Sequence, residues 1–187
     1  MLIKSAQGRQ YKLKDGMSKL DNLASSINNN LGYLDSNTQS YLRNLPEQYR
    51  KEAIASMLGN QTVVTGVDRT TASLAAQAMG MILTDMSGGD AFSVGGYIFV
   101  LGNTQDSSDL LGHEAIHGIQ SIAAGGPVQF LEKYNTACIA PGITMDNVKA
   151  GEIEKRGTIN INLEKAYLGN SYEQAAYSFG PPNQMAE

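Results

Sequence analysis

Cysteine is almost absent. Cys138 is the only one in 187 residues, which excludes an internal disulfide framework and any metal site built from several thiolates. No run of about 18 apolar residues occurs, so no membrane-spanning helix is expected. The opening Met1-Leu2-Ile3-Lys4-Ser5-Ala6-Gln7-Gly8 turns polar too soon for a signal peptide. Positive charge is in deficit as well. With a net charge of −4, a pI near 5.2 and scattered Lys and Arg, the chain lacks the clustered cations that bind a nucleic-acid backbone. Charged residues make up 17% against 42% hydrophobic, which excludes a disordered chain and supplies a core. The length suits one folded domain over residues 1–187. Within it, residues 1–16, with the polar stretch Gln10 to Gly16, read as an N-terminal arm or linker remnant.

Apolar positions recur at helical spacing from Ser18 to Gly59, including Leu20, Leu23, Ile27, Leu31, Leu42, Ile54 and Leu58, and predict two or three helices. Thr62 to Gly66 is β-branched and suits a short strand. Asp68 can cap a helix from Arg69 to Asp85 that carries Leu74, Ala75, Ala78, Met79, Ile82 and Leu83 towards a core. Ala91 to Val94 and Tyr97 to Leu101, joined by Gly95-Gly96, read as a hairpin, because paired glycines accept positive φ. Asp106 or Ser107 then caps a helix from Ser108 to Ala124, Asp109 suits its positive end, and Gly125-Gly126-Pro127 stops it. Val128 to Ile139 is a further helix, Thr158 to Leu163 has strand alternation, and Ser171 to Phe179 is a last helix closed by Gly180-Pro181-Pro182.

The chain's two histidines both fall in the capped helix, in His113-Glu114-Ala115-Ile116-His117. Four residues are about 400° of helical rotation, so both imidazoles project from one face and can grip one ion. Imidazole nitrogen suits Zn²⁺, one ion per chain. Glu114 stands where it reaches the metal's water rather than the metal, and zinc lowers the pKa of such a water to about 7. The plain alternative is two ordinary helix histidines. Chance placement of both at this spacing with Glu after the first is roughly a 1 in 2,000 event for this composition. Leu110, Leu111, Ile116 and Ile119 supply the face to bury.

A catalytic zinc site needs a third protein ligand and an open position. Without a third histidine the metzincin pattern is excluded, and Cys138 follows the pair rather than preceding it as in peptide deformylases. The downstream carboxylates are Glu132, Asp146, Glu152, Glu154, Glu164, Glu173 and Glu187. Glu173 stands out, in Asn170-Ser171-Tyr172-Glu173-Gln174-Ala175-Ala176-Tyr177, because small Ala176 lets its helix approach the motif helix. Its competing role is the N3 residue of a capping box with Asn170. Glu152 and Glu154 are the reserve ligands. Cys138 reads as a small core residue.

The segment Phe92 to Gln120 and the Asn-x-x-Glu-x-x-Ala-Tyr run from Asn170 to Tyr177 resemble the zincin-like metallopeptidase domains of bacterial toxins and contractile-injection effectors. The likeness spans residues 68–180 by order of elements, only these two motifs are specific, and residues 1–60 carry none of it. The resemblance implies an α+β zincin-like fold, mostly helical with a small sheet. It implies a metallopeptidase using His113, His117 and Glu173 as zinc ligands and Glu114 as general base, with Tyr177 donating to the oxyanion. Tyr97 to Leu101 would be the edge strand that pairs with a peptide substrate, against the alternative of a buried hairpin strand. It further implies a protein or peptide substrate, a cognate immunity protein, and secretion or delivery by a bacterial system without a classical signal peptide. Two other readings stand beside it: a zinc amidohydrolase acting on a non-protein amide, and a non-catalytic metal-binding adaptor or structural module.

Overall fold

Short β-branched and aromatic segments far apart in the chain pair into one sheet, and helices pack around it. The computed structural model describes residues 8–81, 90–138 and 169–179. Strands β1 (Gln10–Lys12), β2 (Thr62–Val67), β3 (Ala91–Val94) and β4 (Tyr97–Leu101) lie in the order β1-β2-β4-β3. β2 and β4 run parallel with Val63 beside Ile98, while β1 and β3 are antiparallel to their neighbours. The helices are α1 (Leu13–Gly16), α2 (Leu20–Asn29), α3 (Ser36–Arg43), α4 (Glu47–Gly59), α5 (Arg69–Ala78), α6 (Ser108–Ala124), α7 (Pro127–Cys138) and α8 (Ser171–Phe179), with a 3₁₀ turn at Leu31–Tyr33. The described residues are thus α+β, mostly helical with a small four-stranded sheet.

The main core joins the helical periodicities to the sheet. Leu13, Ile27, Leu42, Ile54 and Leu58 meet Val63 and Ile98 of the sheet and Leu111, Ile116 and Ile119 of α6 in one buried cluster. Burying each such side chain contributes about 1.5–3 kcal/mol, and α6 lies in the middle of this material. Its ends form as the sequence predicts. Ser107 Oγ accepts from Leu110 N at 3.3 Å, and Gly125 at φ +100° closes the last turn. Asp68 likewise caps α5, accepting from Thr71 N at 2.8 Å.

Three expectations need correction. Residues 10–16 are not an arm: Gln10–Lys12 pairs with Val64–Thr62 as β1, and Leu13 is fully buried at the start of α1. Tyr11 Oη donates to Asp106 Oδ2 at 2.5 Å and Arg9 reaches the same oxygen at 2.6 Å, so this segment is clasped to the entry of α6. Burial, and then the bond to Asp106, push the Tyr11 phenol above its ordinary range.

α5 ends at Ala78 rather than running to Asp85, and Ile82, Leu83 and Asp85 lie outside the described residues. It buries Ala72 and Ala76 against Phe92 and Leu101, leaving Leu74 63% exposed and Met79 partly so. Two apolar stripes compete on this helix. The alanine stripe wins because small side chains allow close approach to the aromatic face of the β3–β4 hairpin.

Tyr97–Leu101 is not an edge strand. β4 is paired on both sides, by β2 and by β3, and Ile98, Val100 and Leu101 are fully buried. The edge beside α6 is β3. The predicted strand Thr158 to Leu163, the reserve ligands Glu152 and Glu154, and the closing Gly180-Pro181-Pro182 lie outside the described residues.

Gly118 of α6 makes room for Gln61, whose Nε2 donates to Ala115 O at 2.8 Å and Met57 O at 3.3 Å. A Cβ at Gly118 would stand 2.2 Å from Gln61 Oε1. Gly118→Ala gains about 1 kcal/mol of helix propensity. It should nevertheless lower stability by about 1–2 kcal/mol net, because a buried amide loses its partners. Chemical denaturation reads this directly, and an unchanged midpoint would mean that Gln61 swings aside without cost.

Candidate metal centre

α6 presents His113 and His117 one turn apart, with Glu114 next to the first, and α8 packs across it on Ala175 and Ala176, which are 2% and 0% exposed. That close approach brings Glu173 over the histidine pair. Glu173 Oε2 lies 3.1 Å from His113 Nε2, and Oε1 lies 3.3 Å from His117 Nε2. Among the described residues, these three form the group whose donor atoms all stand within 4.8 Å of one another. They are 6%, 6% and 3% exposed, so a cation held there would be largely screened from water.

The donor set fits a metal. Ligand atoms about 2.1 Å from a tetrahedral ion stand about 3.4 Å apart, and the two separations, each to a different Glu173 oxygen, are compatible with that spacing and equally with imidazole–carboxylate ion pairs. Glu173 Oε2 is buried, with His113 Nε2 at 3.1 Å but no well-aligned hydrogen bond, and a cation between the two atoms would satisfy it. Two imidazoles and one carboxylate make a metal-capable cluster, and those ligand types suit Zn²⁺ among divalent cations.

The capping-box reading of Glu173 does not hold. Asn170 Oδ1 caps α8 by accepting from Tyr172 N at 2.9 Å, and the Glu173 oxygens turn away to the histidines and to Tyr134. The hydroxyl of Tyr134, on α7, donates to Glu173 Oε1 at 2.5 Å. Sequence reasoning missed Tyr134. Its signal was the spacing of Phe130 and Tyr134, four apart on α7, which turns both rings towards His117 at 6.2 and 6.1 Å.

Glu114 is not part of the cluster. Ser93 Oγ, on edge strand β3, lies 2.9 Å from Glu114 Oε2 and 2.7 Å from the Glu114 carbonyl, and its one proton is shared between them. Tyr177 packs its ring on His113 with centroids 4.6 Å apart. The other predicted carboxylates are not at the site: Glu132 is exposed on α7, and Asp146, Glu164 and Glu187, like Glu152 and Glu154, lie outside the described residues.

Electrostatics tie the pair together before any metal arrives. Burial favours neutral His117, but the Glu173 carboxylate outweighs it and pushes the imidazole up to about 9. Burial would raise Glu173, and the His117 charge reverses this and holds it well below the usual carboxylate range. A metal must therefore displace a proton from His117 throughout the neutral range. Apparent affinity should rise about tenfold per pH unit from pH 6 and level off near 9. Competition titration with a chelator of known pH dependence measures this, and an affinity flat over that range would contradict it.

No protein-family model, curated protein or solved structure matches the chain.

Proposed function

We propose that this chain is a zinc-dependent peptidase with a zincin-like fold, in which His113, His117 and Glu173 hold the metal and Glu114 is the general base. The observation that supports it most is the separation of roles on one helix. Glu173 comes from α8 to meet both imidazoles, while Glu114 is held aside by Ser93 with its second carboxylate oxygen not drawn into that bond. Zinc, when bound, supplies Lewis acidity and lowers the pKa of a coordinated water. Glu114 takes the water's proton and returns it to the leaving amine. Edge strand β3, rather than β4, lies beside α6 with one side unpaired among the described strands, and would offer its main-chain groups to an extended peptide. Tyr177, against His113, is the proposed oxyanion donor.

Elemental analysis of natively purified protein should give about one zinc per chain, and a peptide-library screen should show cleavage that a chelator abolishes. Protein that neither contains nor takes up zinc would remove the basis of the proposal. A zinc amidohydrolase acting on a non-protein amide would bind zinc and leave every peptide intact. The burial of all three ligands and of Glu114 favours a second reading, a non-catalytic metal-binding module. That reading expects zinc without turnover and gives Glu114 no role. Resemblance to toxin and injection-effector domains extends the main proposal to a secreted or delivered module with a cognate immunity protein. Toxicity on expression in a bacterial periplasm or cytoplasm, abolished by Glu114→Gln, would support that extension.

A further inference from the structure

Gln120 lies one turn beyond His117 on α6 and is fully buried, with every polar atom of its side chain paired. Its Oε1 is 2.8 Å from His117 Nδ1. Its Nε2 stands 3.1 Å from Asp35 Oδ1 and 3.0 Å from the Tyr172 carbonyl. Both of the latter are acceptors: a main-chain oxygen, and a carboxylate whose other oxygen caps α3 by accepting from Thr38 N and Oγ1 at 3.0 and 2.8 Å. Turning the amide over would set its oxygen against two acceptors, so only one orientation satisfies the group. With Nε2 committed to Asp35 and Tyr172, Oε1 faces His117 and must accept. His117 Nδ1 therefore carries a proton whether or not a cation is bound, and Nε2, 3.3 Å from Glu173 Oε1, is the nitrogen left to give up its proton to a cation.

We propose that Gln120, oriented by Asp35, is a positioning residue that fixes His117 in the Nδ1–H tautomer and registers α8 at Tyr172, so that His117 and Glu173 are delivered together to one cation. This rests on the metal-site reading above. His113 makes no comparable contact, since its Nδ1 has no hydrogen-bond partner among the described residues. The two histidines are thus inequivalent. The inference also gives a role at the site to the helical segment that precedes β2, through Asp35 at the start of α3. A partner that sets the orientation of a ligand imidazole typically carries 10–100-fold in metal affinity.

The test uses the full chain and zinc alone. Long-range proton–nitrogen NMR correlation of zinc-loaded wild-type protein should show His117 bound through Nε2, with a slowly exchanging proton on Nδ1. Gln120→Met keeps length and apolar bulk but removes all three bonds, and should weaken zinc binding by about 10–100-fold in competition with a chelator. Asp35→Ser keeps a hydroxyl that can cap α3 but no longer accepts from Gln120. It should weaken zinc binding by about 3–10-fold and speed exchange of the His117 Nδ1 proton, leaving the His113 resonances in place. If wild type binds no zinc, the metal-site reading itself fails. If wild type binds and both folded variants match it within about twofold, or if wild-type His117 ligates through Nδ1, the role assigned to Gln120 is overturned. Because the wild-type spectrum decides the tautomer by itself, a variant that fails to fold does not shield the proposal.

Discussion

Replacing Glu173 with Ala should lower zinc affinity by more than the about 10–100-fold expected of a supporting residue, and should abolish hydrolysis. The carboxylate stands 3.1 and 3.3 Å from the two imidazole nitrogens, and without it two histidines offer an incomplete coordination sphere. A second effect appears in metal-free protein. The folded pKa of His117 is raised to about 9 by Glu173, above an unfolded value near 6.5. The pair therefore contributes stability that is fully present below about 6.5 and is lost as pH rises through about 9. Wild-type metal-free protein should lose on the order of a few kcal/mol across that window, a loss that Glu173→Ala should largely remove. Denaturant unfolding of chelator-treated protein at pH 6 and 9.5 measures the difference. If the variant still takes up zinc normally, Glu173 is not a ligand, whatever its stability.

Glu114→Gln should have the opposite signature: zinc retained, hydrolysis reduced by at least about 100-fold. The substitution preserves shape, and the Ser93 hydroxyl that lies 2.9 Å from Glu114 Oε2 can donate equally well to an amide oxygen. Only the capacity to accept and return a proton is removed. Normal peptide cleavage by this variant would mean that the base lies elsewhere and that the spacing of His113, Glu114 and His117 is being misread. Undetectable cleavage by both wild type and variant, with zinc bound in each, would favour the non-catalytic module.

The parts of this site legible in the sequence are those encoded within one helix or its caps. Ser107 and Gly125 bound α6, the i, i+4 spacing aligns His113 with His117, and small Ala176 marks a close helix approach for Glu173. Each is a local rule with a period or a position attached. What escaped depends on which distant element arrives as neighbour. Gln120 has no sequence signature, because its meaning comes from Asp35, 85 residues away. Tyr134 acquires its role only when α7 folds back over α6. The order β1-β2-β4-β3 was hidden for the same reason: hairpin chemistry at Gly95-Gly96 pairs β3 with β4 but says nothing of β2 closing on the other side. On α5, the alanine and leucine stripes were equally periodic, and the hairpin's aromatic face decided between them.

The clasp of Arg9 and Tyr11 on Asp106 has a consequence for how the chain reaches this state. Tyr11 and Asp106 are 95 residues apart, and the cluster of His113, His117 and Glu173 joins α6 to the last described helix. Helices α2 to α4 can form from neighbouring residues on the microsecond scale. Contacts spanning such distances close late, because loop entropy must be met before any of them is rewarded. His113, His117 and Glu173 meet only across such a span, so the cluster that could hold a cation depends on the long-range part of the fold being in place.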